Sequence, residues 1–244
     1  MSLIRRLHDQ LIDPADHLAL DEAMLIEAEN ESSGAADAIR IWEFASPIVV
    51  AGRSTRVDRE IDRPYCERNG IPILRRCSGG ASVVGGPGCL MYSVVMNLDA
   101  SPAVRGIDQA HRHVMGHVLE AVQVQLPEVT LQGICDLTWQ DCKFSGNSLR
   151  ITRAAMLYHG TILYDFDLDQ ISRCLQVAPR QPEYRQSRDH ASFVTNVPLD
   201  PKRFATSLDK SFGVVDEVNM IAYSNQIREL RSQRYDSDAW NFRH

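Results

Sequence analysis

The segment best suited to chemistry joins two arginines to a glycine-rich stretch. Five glycines and one proline fall within residues 78–88, directly after the arginine pair. Glycine lets backbone amides approach an anion closely, and arginine supplies bidentate positive charge. The segment therefore predicts an anion site built from Arg75, Arg76, Ser78, Gly79, Gly80 and Ala81. A glycine-rich hairpin with two surface arginines remains an open alternative. Neither a GK[ST] loop nor a GxGxxG fingerprint is present.

A second segment places a lysine shortly before a glycine. Lys143 precedes Gly146 and Asn147, and Asp136 lies a few residues upstream. We expect a turn at residues 145–147 that would direct the ammonium into a cleft. A lysine in that position could neutralise charge developing on a phosphoryl or acyl oxygen. An ordinary solvated lysine is the alternative.

A third segment carries a histidine within an apolar run. His159 and Gly160 lie in the predicted strand 154–164. A histidine in such a strand either packs in the core or faces a site. His159 and Gly160 are therefore candidates for a binding site, and Asp136 could either orient a ligand or cap a strand.

Other reactive residues carry weaker signals. His113 and His117 are four residues apart in one predicted helix, but the glutamate of an HExxH motif is absent, so we predict no metal site. The six cysteines contain no CxxC pair. Cys135 and Cys142 flank the lysine, which leaves a covalent acyl-cysteine mechanism open.

The elements that must position these residues mix strands and helices without a regular βαβ alternation. Asp13-Pro14 predicts a helix start, and the apolar spacing continues the helix to Glu29. Helices are also predicted over residues 58–69, 106–125, 167–175 and 200–212, and strands over 39–44, 48–51, 71–74, 89–98 and 137–139. The stretch 78–88 is predicted to contain no regular element, and 179–190 to be a mobile loop. We predict one α+β domain, a mixed sheet flanked by helices, over residues 1–244.

Composition excludes several classes of protein. The chain has 244 residues and a formal net charge of −6, so non-specific nucleic-acid binding is not expected. No stretch approaches ~20 apolar residues, and no signal-peptide pattern is found, which predicts a cytoplasmic protein that does not cross a membrane.

In this order the three segments resemble the lipoate–protein ligase A family of the biotin/lipoate ligase superfamily. That family carries an RRxSGGG turn, a lysine in a KxxG turn and an HGT/L strand, here residues 75–80, 143–146 and 159–161. The resemblance extends over about residues 14–200 and implies an acyl-adenylate chemistry. Lipoate or octanoate would be activated with ATP and Mg²⁺, and the acyl group passed to a lysine of a lipoyl carrier domain. The carrier would belong to a 2-oxoacid dehydrogenase or be a glycine cleavage H-type protein.

The resemblance also implies roles for residues. Arg75, Ser78, Gly79 and Gly80 would surround the acyl chain and phosphate, and Lys143 would contact phosphate and carbonyl oxygens as the catalytic residue. We further predict that the acyl chain runs along Val83 and Val84. A basic patch of Arg150, Arg153, Arg185 and Arg188 is predicted to meet an acidic carrier.

Departures from the family pattern keep two alternatives open. Ala81 stands where a third glycine is usual, and Gly85-Gly86 stand where a histidine-aspartate pair is common. After Asn196 too few residues follow to form the accessory carboxy-terminal domain of many ligases. The alternatives are an ATP-independent octanoyl or lipoyl transferase between carrier proteins, and a non-catalytic acyl-binding subunit of a two-protein ligase.

Overall fold

The structure is a computed structural model that describes residues 4–31, 37–176 and 181–243. Its largest sheet has six strands in the order β10-β11-β6-β2-β1-β12. Pairing is antiparallel from β10 to β2 and parallel between β2, β1 and β12, so the sheet is mixed. Its strands are β1 Arg5–His8, β2 Ala38–Glu43, β6 Cys89–Asn97, β10 Asn147–Ile151, β11 Ala155–Leu163 and β12 Asp216–Asn219.

Two three-stranded sheets complete the strand framework. One has the order β4-β3-β5, with β3 Ile48–Ala51, β4 Ile73–Arg75 and β5 Val83–Gly85. The other has the order β7-β8-β9, with β7 Thr130–Gln132, β8 Asp136–Trp139 and β9 Cys142–Ser145. The predicted α+β architecture, a mixed sheet flanked by helices, is confirmed.

Helix α1, Pro14–Asn30, packs between the large sheet and the carboxy-terminal helices. Asp13 caps it by accepting a hydrogen bond from the Ala15 amide, and Pro14 occupies the first turn, as predicted. It is buried on nearly all sides, which is typical of a central helix. Asp21 and Glu22 are therefore buried charges that need partners.

The remaining helices surround the sheets. They are α2 Val57–Glu60, α3 Arg63–Arg68, α4 Ile107–Gln123, α5 Asp169–Cys174, α6 His190–Phe193, α7 Pro201–Phe212, α8 Ser224–Leu230 and α9 Asp238–Asn241. A π-helical turn, Arg231–Tyr235, continues α8. The predicted helices 106–125, 167–175 and 200–212 are confirmed within a few residues at each end.

Three local predictions were wrong. The predicted helix 58–69 is two short helices, because Asp62 caps a new helix whose second residue is Pro64. The stretch 78–88 does contain a regular element, since β5 pairs with β3. No turn exists at residues 145–147: Gly146 alone separates β9 from β10, and the chain reverses instead at Gln140 and Asp141, which both have positive φ.

The predicted mobile loop 179–190 lies partly outside the described residues. Its described part, from Gln181 onward, contains a short 3₁₀ turn, Glu183–Arg185, and the start of α6. No helix in the described ranges is long and apolar enough to cross a membrane.

Candidate active site

Two cavities meet at a shared wall. The first has a volume of about 140 Å³ and the second about 170 Å³. The first cavity is apolar at one end, where Leu18, Trp42, Val50 and Met91 line it. The residues common to both cavities are Ala81, Ser82, Val83, Lys143, Gly146 and Thr161. A bound molecule could therefore extend from one cavity into the other past Lys143.

Lys143 lies at this junction because of the β8–β9 hairpin. Its Nζ is 2.7 Å from Oδ1 of Asp136, and 27% of its side chain is exposed. The pairing of β8 with β9 shifts register beside Lys143, and such bulges redirect side chains. A Cβ on Gly146 would lie 3.0 Å from both Cε and Nζ of Lys143, so a larger residue there would displace the end of the lysine side chain. The site therefore holds a cation beside both cavities.

A buried hydrogen-bond chain lies against the first cavity and reaches it through His159 and Asp21. Ser78 Oγ lies 2.5 Å from Nε2 of His159, whose Nδ1 lies 3.1 Å from Oδ2 of Asp21. Arg76 Nε donates to the same Ser78 oxygen at 3.0 Å, so the serine hydroxyl can direct its own proton to His159. His159 then carries its proton on Nδ1 and donates it to Asp21.

This serine, histidine and aspartate do not form a nucleophilic triad. Ser78 is fully buried, its oxygen already accepts from Arg76, and it lines neither cavity. The hydrogen bonds from Ser78 and Asp21 instead fix the orientation of the His159 ring beside the first cavity.

Asp21 is held ionised at the first cavity. Burial opposes its negative charge, but hydrogen bonds from His159 and Ser93 and the charge of Arg40 outweigh burial and lower its pKa. Arg40 is fully buried and donates to Asp21 Oδ1 at 2.8 Å. Asp21 therefore lines the first cavity as one half of a buried ion pair with Arg40.

The two predicted arginines have different positions. Arg76 lines the first cavity and holds the glycine-rich segment from inside, donating to the carbonyls of Gly79 at 2.5 Å and Ala81 at 2.9 Å. Burial lowers its pKa to about 10, so the guanidinium stays charged at neutral pH.

Arg75 points away from both cavities. Its guanidinium is fully buried and donates to the carbonyls of Gly52, Thr55, Trp240 and Arg243. The expectation that Arg75 surrounds the acyl chain and phosphate is therefore not supported by its position. Arg75 instead attaches the carboxy-terminal segment to the end of β4.

The other predicted residues divide between the cavities. Gly80 has φ of +83° and lines the first cavity, whereas Gly79 lines neither and accepts from Ser148 Oγ at 2.9 Å. Val83 lines both cavities, and Val84 lines only the second. An acyl chain in the first cavity would contact Val83 but not Val84, whereas a chain in the second cavity would contact both valines.

Asn147 and Gly160 form one wall of the first cavity together. The Asn147 amide donates to the Cys135 carbonyl at 2.5 Å and accepts from the Tyr92 hydroxyl. A Cβ on Gly160 would overlap the Asn147 side-chain oxygen, so glycine is required across this pair of strands.

Sequence reasoning missed several residues that shape the site. Asp21 and Trp42 line the first cavity, Arg40 supports Asp21, and Tyr184 donates to Asp136. The available signal was an aspartate inside an apolar helix and an arginine inside an apolar strand, since buried charges need partners.

Two of the three cysteines near the site, Cys77 and Cys135, are poor nucleophiles because burial opposes their ionisation. Cys135 is buried, its Sγ donates to the Asn147 carbonyl at 3.3 Å, and burial raises its pKa to about 11. Cys77 is buried beside Ser78, and burial raises its pKa to about 12. Cys142 lines neither cavity.

The predicted basic patch does not exist as an exposed surface. Arg150 pairs with Glu22 at 2.8 Å, and Arg185 is only 4% exposed. The Arg188 guanidinium donates hydrogen bonds to the carbonyls of Asp141, Tyr184 and Arg185. Only Arg153 of the four is an exposed residue.

The fold and the two adjoining cavities, with a cation at their junction, are those of a ligand-binding catalytic domain. Residues 13–203 match the lipoyl protein ligase A/B catalytic domain, and the chain belongs to that family. The predicted class of enzyme, a ligase or related acyltransferase, is thereby confirmed.

Proteins named as lipoate–protein ligases and proteins named as octanoyltransferases both match almost the whole chain. Lipoate–protein ligase 1 of Staphylococcus aureus is 23% identical over 96% of this chain and 72% of that protein. Octanoyltransferase LipM of Halalkalibacterium halodurans is 23% identical over 95% of both.

Solved structures share the fold. A bi-partite lipoate protein ligase from Thermoplasma acidophilum, described with its E2 lipoyl domain, has a TM-score of 0.82 at 22% identity, covering 99% of this chain and 97% of that one. A lipoate-protein ligase A bound with ATP has a TM-score of 0.82 at 22% identity, covering 98% of both chains.

Proposed function

We propose that the protein is an ATP-dependent lipoate–protein ligase. It would activate lipoate or octanoate as an acyl-adenylate and pass the acyl group to a lysine of a lipoyl carrier domain. The observation that carries the proposal is the position of Lys143 at the junction of two cavities that each combine apolar walls with a few polar groups.

The first cavity suits the acyl chain. Its apolar end accepts hydrocarbon, and Lys143 at the other end can meet a carboxylate. The His159 and Asp21 side chains that line it are hydrogen-bonded within the protein, so an apolar chain beside them leaves no donor or acceptor of that pair unpaired.

The second cavity suits the nucleotide. Arg185 and His190 line it, and their Nη2 and Nε2 atoms are buried without a hydrogen-bond partner. A ligand that reached these atoms would supply hydrogen-bond partners that the protein itself does not. Its apolar walls, including Leu163, Phe193 and Val194, fit the faces of a base.

Lys143 would then act on both half-reactions. Attack of the carboxylate on the α-phosphorus develops negative charge on phosphoryl oxygens, and attack of the acceptor lysine develops it on the acyl oxygen. A fixed ammonium beside both positions lowers each barrier, typically by ~3–4 kcal/mol. Mg²⁺ would accompany ATP and neutralise phosphate charge, held mainly by the phosphates rather than by a protein cage.

The transferase alternative needs a reactive thiol. A thiolate is the nucleophile in such chemistry, and burial raises the pKa of Cys135 to about 11. Its Sγ donates to the Asn147 carbonyl. The geometry therefore favours activation by ATP. A cytoplasmic location and an acceptor from a 2-oxoacid dehydrogenase or H-type protein stay predictions.

The test measures pyrophosphate release and carrier acylation. We expect purified protein to release pyrophosphate on mixing with ATP and lipoate, and Cys135→Ser to retain most of that activity. No pyrophosphate release, together with octanoyl transfer from an octanoyl-carrier thioester that Cys135→Ser abolishes, would establish the transferase instead.

A second candidate is one half of a two-protein ligase. The near-complete match to a chain described as part of a bi-partite ligase favours it. Under this candidate the isolated chain would bind lipoate but release no pyrophosphate from ATP. Release by the isolated chain would exclude it.

A further inference from the structure

Asp136 is shared between two side chains. Its Oδ1 lies 2.7 Å from Nζ of Lys143, and its Oδ2 accepts from the Tyr184 hydroxyl at 2.6 Å. The carboxylate is only 12% exposed, so it depends on these partners rather than on water. Tyr184 therefore contacts the group that holds Lys143 at rest.

The tyrosine is itself held firmly in place. Arg188 donates to the Tyr184 carbonyl and to the Asp141 carbonyl, both at 3.0 Å, and so joins the 3₁₀ turn to the β8–β9 hairpin. The ring lies beside Gly133, where a Cβ would come within 3.3 Å of it, and 5.4 Å from the Phe193 ring centre. The hydroxyl position is thus set by the segment that also lines the second cavity through Pro182 and Arg185.

The consequence concerns the availability of Lys143. An ammonium paired with Asp136 cannot give its full charge to a bound anion. For Lys143 to turn to a ligand, Asp136 must remain stable without it. The Tyr184 hydrogen bond stabilises the carboxylate in that state, and hydrogen bonds to ionised groups are about twice as strong as neutral ones.

We propose that Tyr184 is a positioning residue that weakens the hold of Asp136 on Lys143 and so frees the lysine for an anionic ligand at the junction of the two cavities. The catalytic consequence rests on the proposed ligase function. The contact between the three side chains does not, and it can be tested separately.

The chain contains only three lysines, 143, 202 and 210, which makes a ligand-free test possible. Lysine acetylation by an acetyl N-hydroxysuccinimide ester requires the free amine, and mass spectrometry reports each site. We expect Tyr184→Phe to slow labelling of Lys143 about threefold or more relative to Lys202 and Lys210, because the undivided carboxylate holds the ammonium more tightly.

Two further variants make the result specific. Asp136→Asn should speed labelling of Lys143, and adding Tyr184→Phe to Asp136→Asn should change nothing more, since the tyrosine acts through the carboxylate. Tyr164→Phe is the matched control, because it removes a tyrosine hydrogen bond to Glu43 at 3.0 Å outside both cavities. Unchanged or faster labelling of Lys143 in Tyr184→Phe would overturn the proposal.

Catalysis supplies the second readout. Tyr184→Phe should lower kcat for lipoate-dependent pyrophosphate release about tenfold, with no further loss in a Lys143→Ala background. Equal losses in both backgrounds would show a merely structural role and contradict the proposal. An inactive wild-type protein would contradict the ligase function while the labelling result still decided the role of Tyr184.

Discussion

Single buried charges account for much of the site's geometry. Arg40 joins Asp9, His17 and Asp21 in one cluster, and Asp21 fixes His159 beside the first cavity. Because each member of the cluster satisfies another, this side of the cavity is rigid without any bound ligand. One member gives the cluster a pH dependence.

His17 should make stability fall in mild acid. Burial, followed by the nearby Arg40 charge, lowers the pKa of His17 to about 4, and Arg40 Nη2 donates to its Nδ1 at 2.7 Å. Between pH 6.5 and 4 the unfolded chain therefore binds a proton that the folded chain does not. Stability is present above the unfolded pKa and is lost as pH falls through this window.

The measurement is urea unfolding at pH 7 and pH 5. His17→Phe should reduce the loss of unfolding free energy between these values by about 2 kcal/mol. His8→Phe is the control, because the His8 side chain is 62% exposed, and it should leave the loss unchanged. An identical pH dependence in His17→Phe would show that the buried imidazole is not the cause.

The residues of the site were predictable only in part. Lys143, Arg76, Gly80, Gly146, Asn147, His159 and Gly160 all line the first cavity, as their types suggested. Arg75 does not line this cavity, because adjacent strand residues face opposite sides of the sheet. Its side chain faces the carboxy-terminal segment, where Arg75 donates to the Trp240 carbonyl, and this contact is visible only in the folded structure. Nothing local distinguishes Arg75 from Arg76.

At the scale of elements, the carboxy-terminal segment supports the glycine-rich one. Asn241 accepts from the Arg75 amide at 3.0 Å and donates to the Tyr235 carbonyl at 2.9 Å. Trp240 Nε1 donates to the Arg75 carbonyl at 2.9 Å. Trp240 and Asn241 thus form hydrogen bonds with the outer edge of β4, where a further strand of the sheet would otherwise pair.

Removing one of these contacts should cost stability. Asn241→Ala leaves the buried Arg75 amide without its acceptor, which should lower the unfolding free energy by about 1–3 kcal/mol. Asn225→Ala, at an exposed position of α8, should change it by less than about 0.5 kcal/mol. The measurement is urea unfolding of both variants. If Asn241→Ala lowered the unfolding free energy no more than Asn225→Ala, the carboxy-terminal segment would not anchor β4.

Element prediction succeeded where capping and spacing agreed. Asp13-Pro14 and Asp200-Pro201 both begin helices with an aspartate cap. Element prediction failed at Gly146, where the glycine predicts a turn but the structure has two nearly continuous strands on either side of it. A glycine occurs where another group comes close to the backbone as well as where the chain turns, and here that group is the Lys143 side chain.

At the scale of the whole molecule, the site depends on contacts distant in sequence. The hydrogen bond from Ser78 to His159 spans 81 residues, and that from His159 to Asp21 spans 138. Strands β1 and β12 pair in parallel although they lie near opposite ends of the chain. Periodicity predicts the strands themselves, but it carries no information on such pairing, so the α+β class was predictable and the strand order was not.

In the proposed ligase, Lys143 stabilises the negative charge that develops during ATP-dependent activation. Loss of one preorganised charge contact costs ~3–4 kcal/mol of barrier, a rate loss of two or more orders of magnitude. Lys143 reaches over Gly146 beside the cavities, so its removal should leave the core intact. Lys202→Ala, at an exposed position of α7, is the matched control.

The deciding measurement is therefore lipoate-dependent pyrophosphate release by the wild-type protein, Lys143→Ala and Lys202→Ala, each checked for folding by thermal unfolding. We expect release by the wild type and Lys202→Ala, and a loss of about a hundredfold or more in a fully folded Lys143→Ala. A folded Lys143→Ala protein that releases pyrophosphate at the wild-type rate would show that Lys143 has no catalytic role.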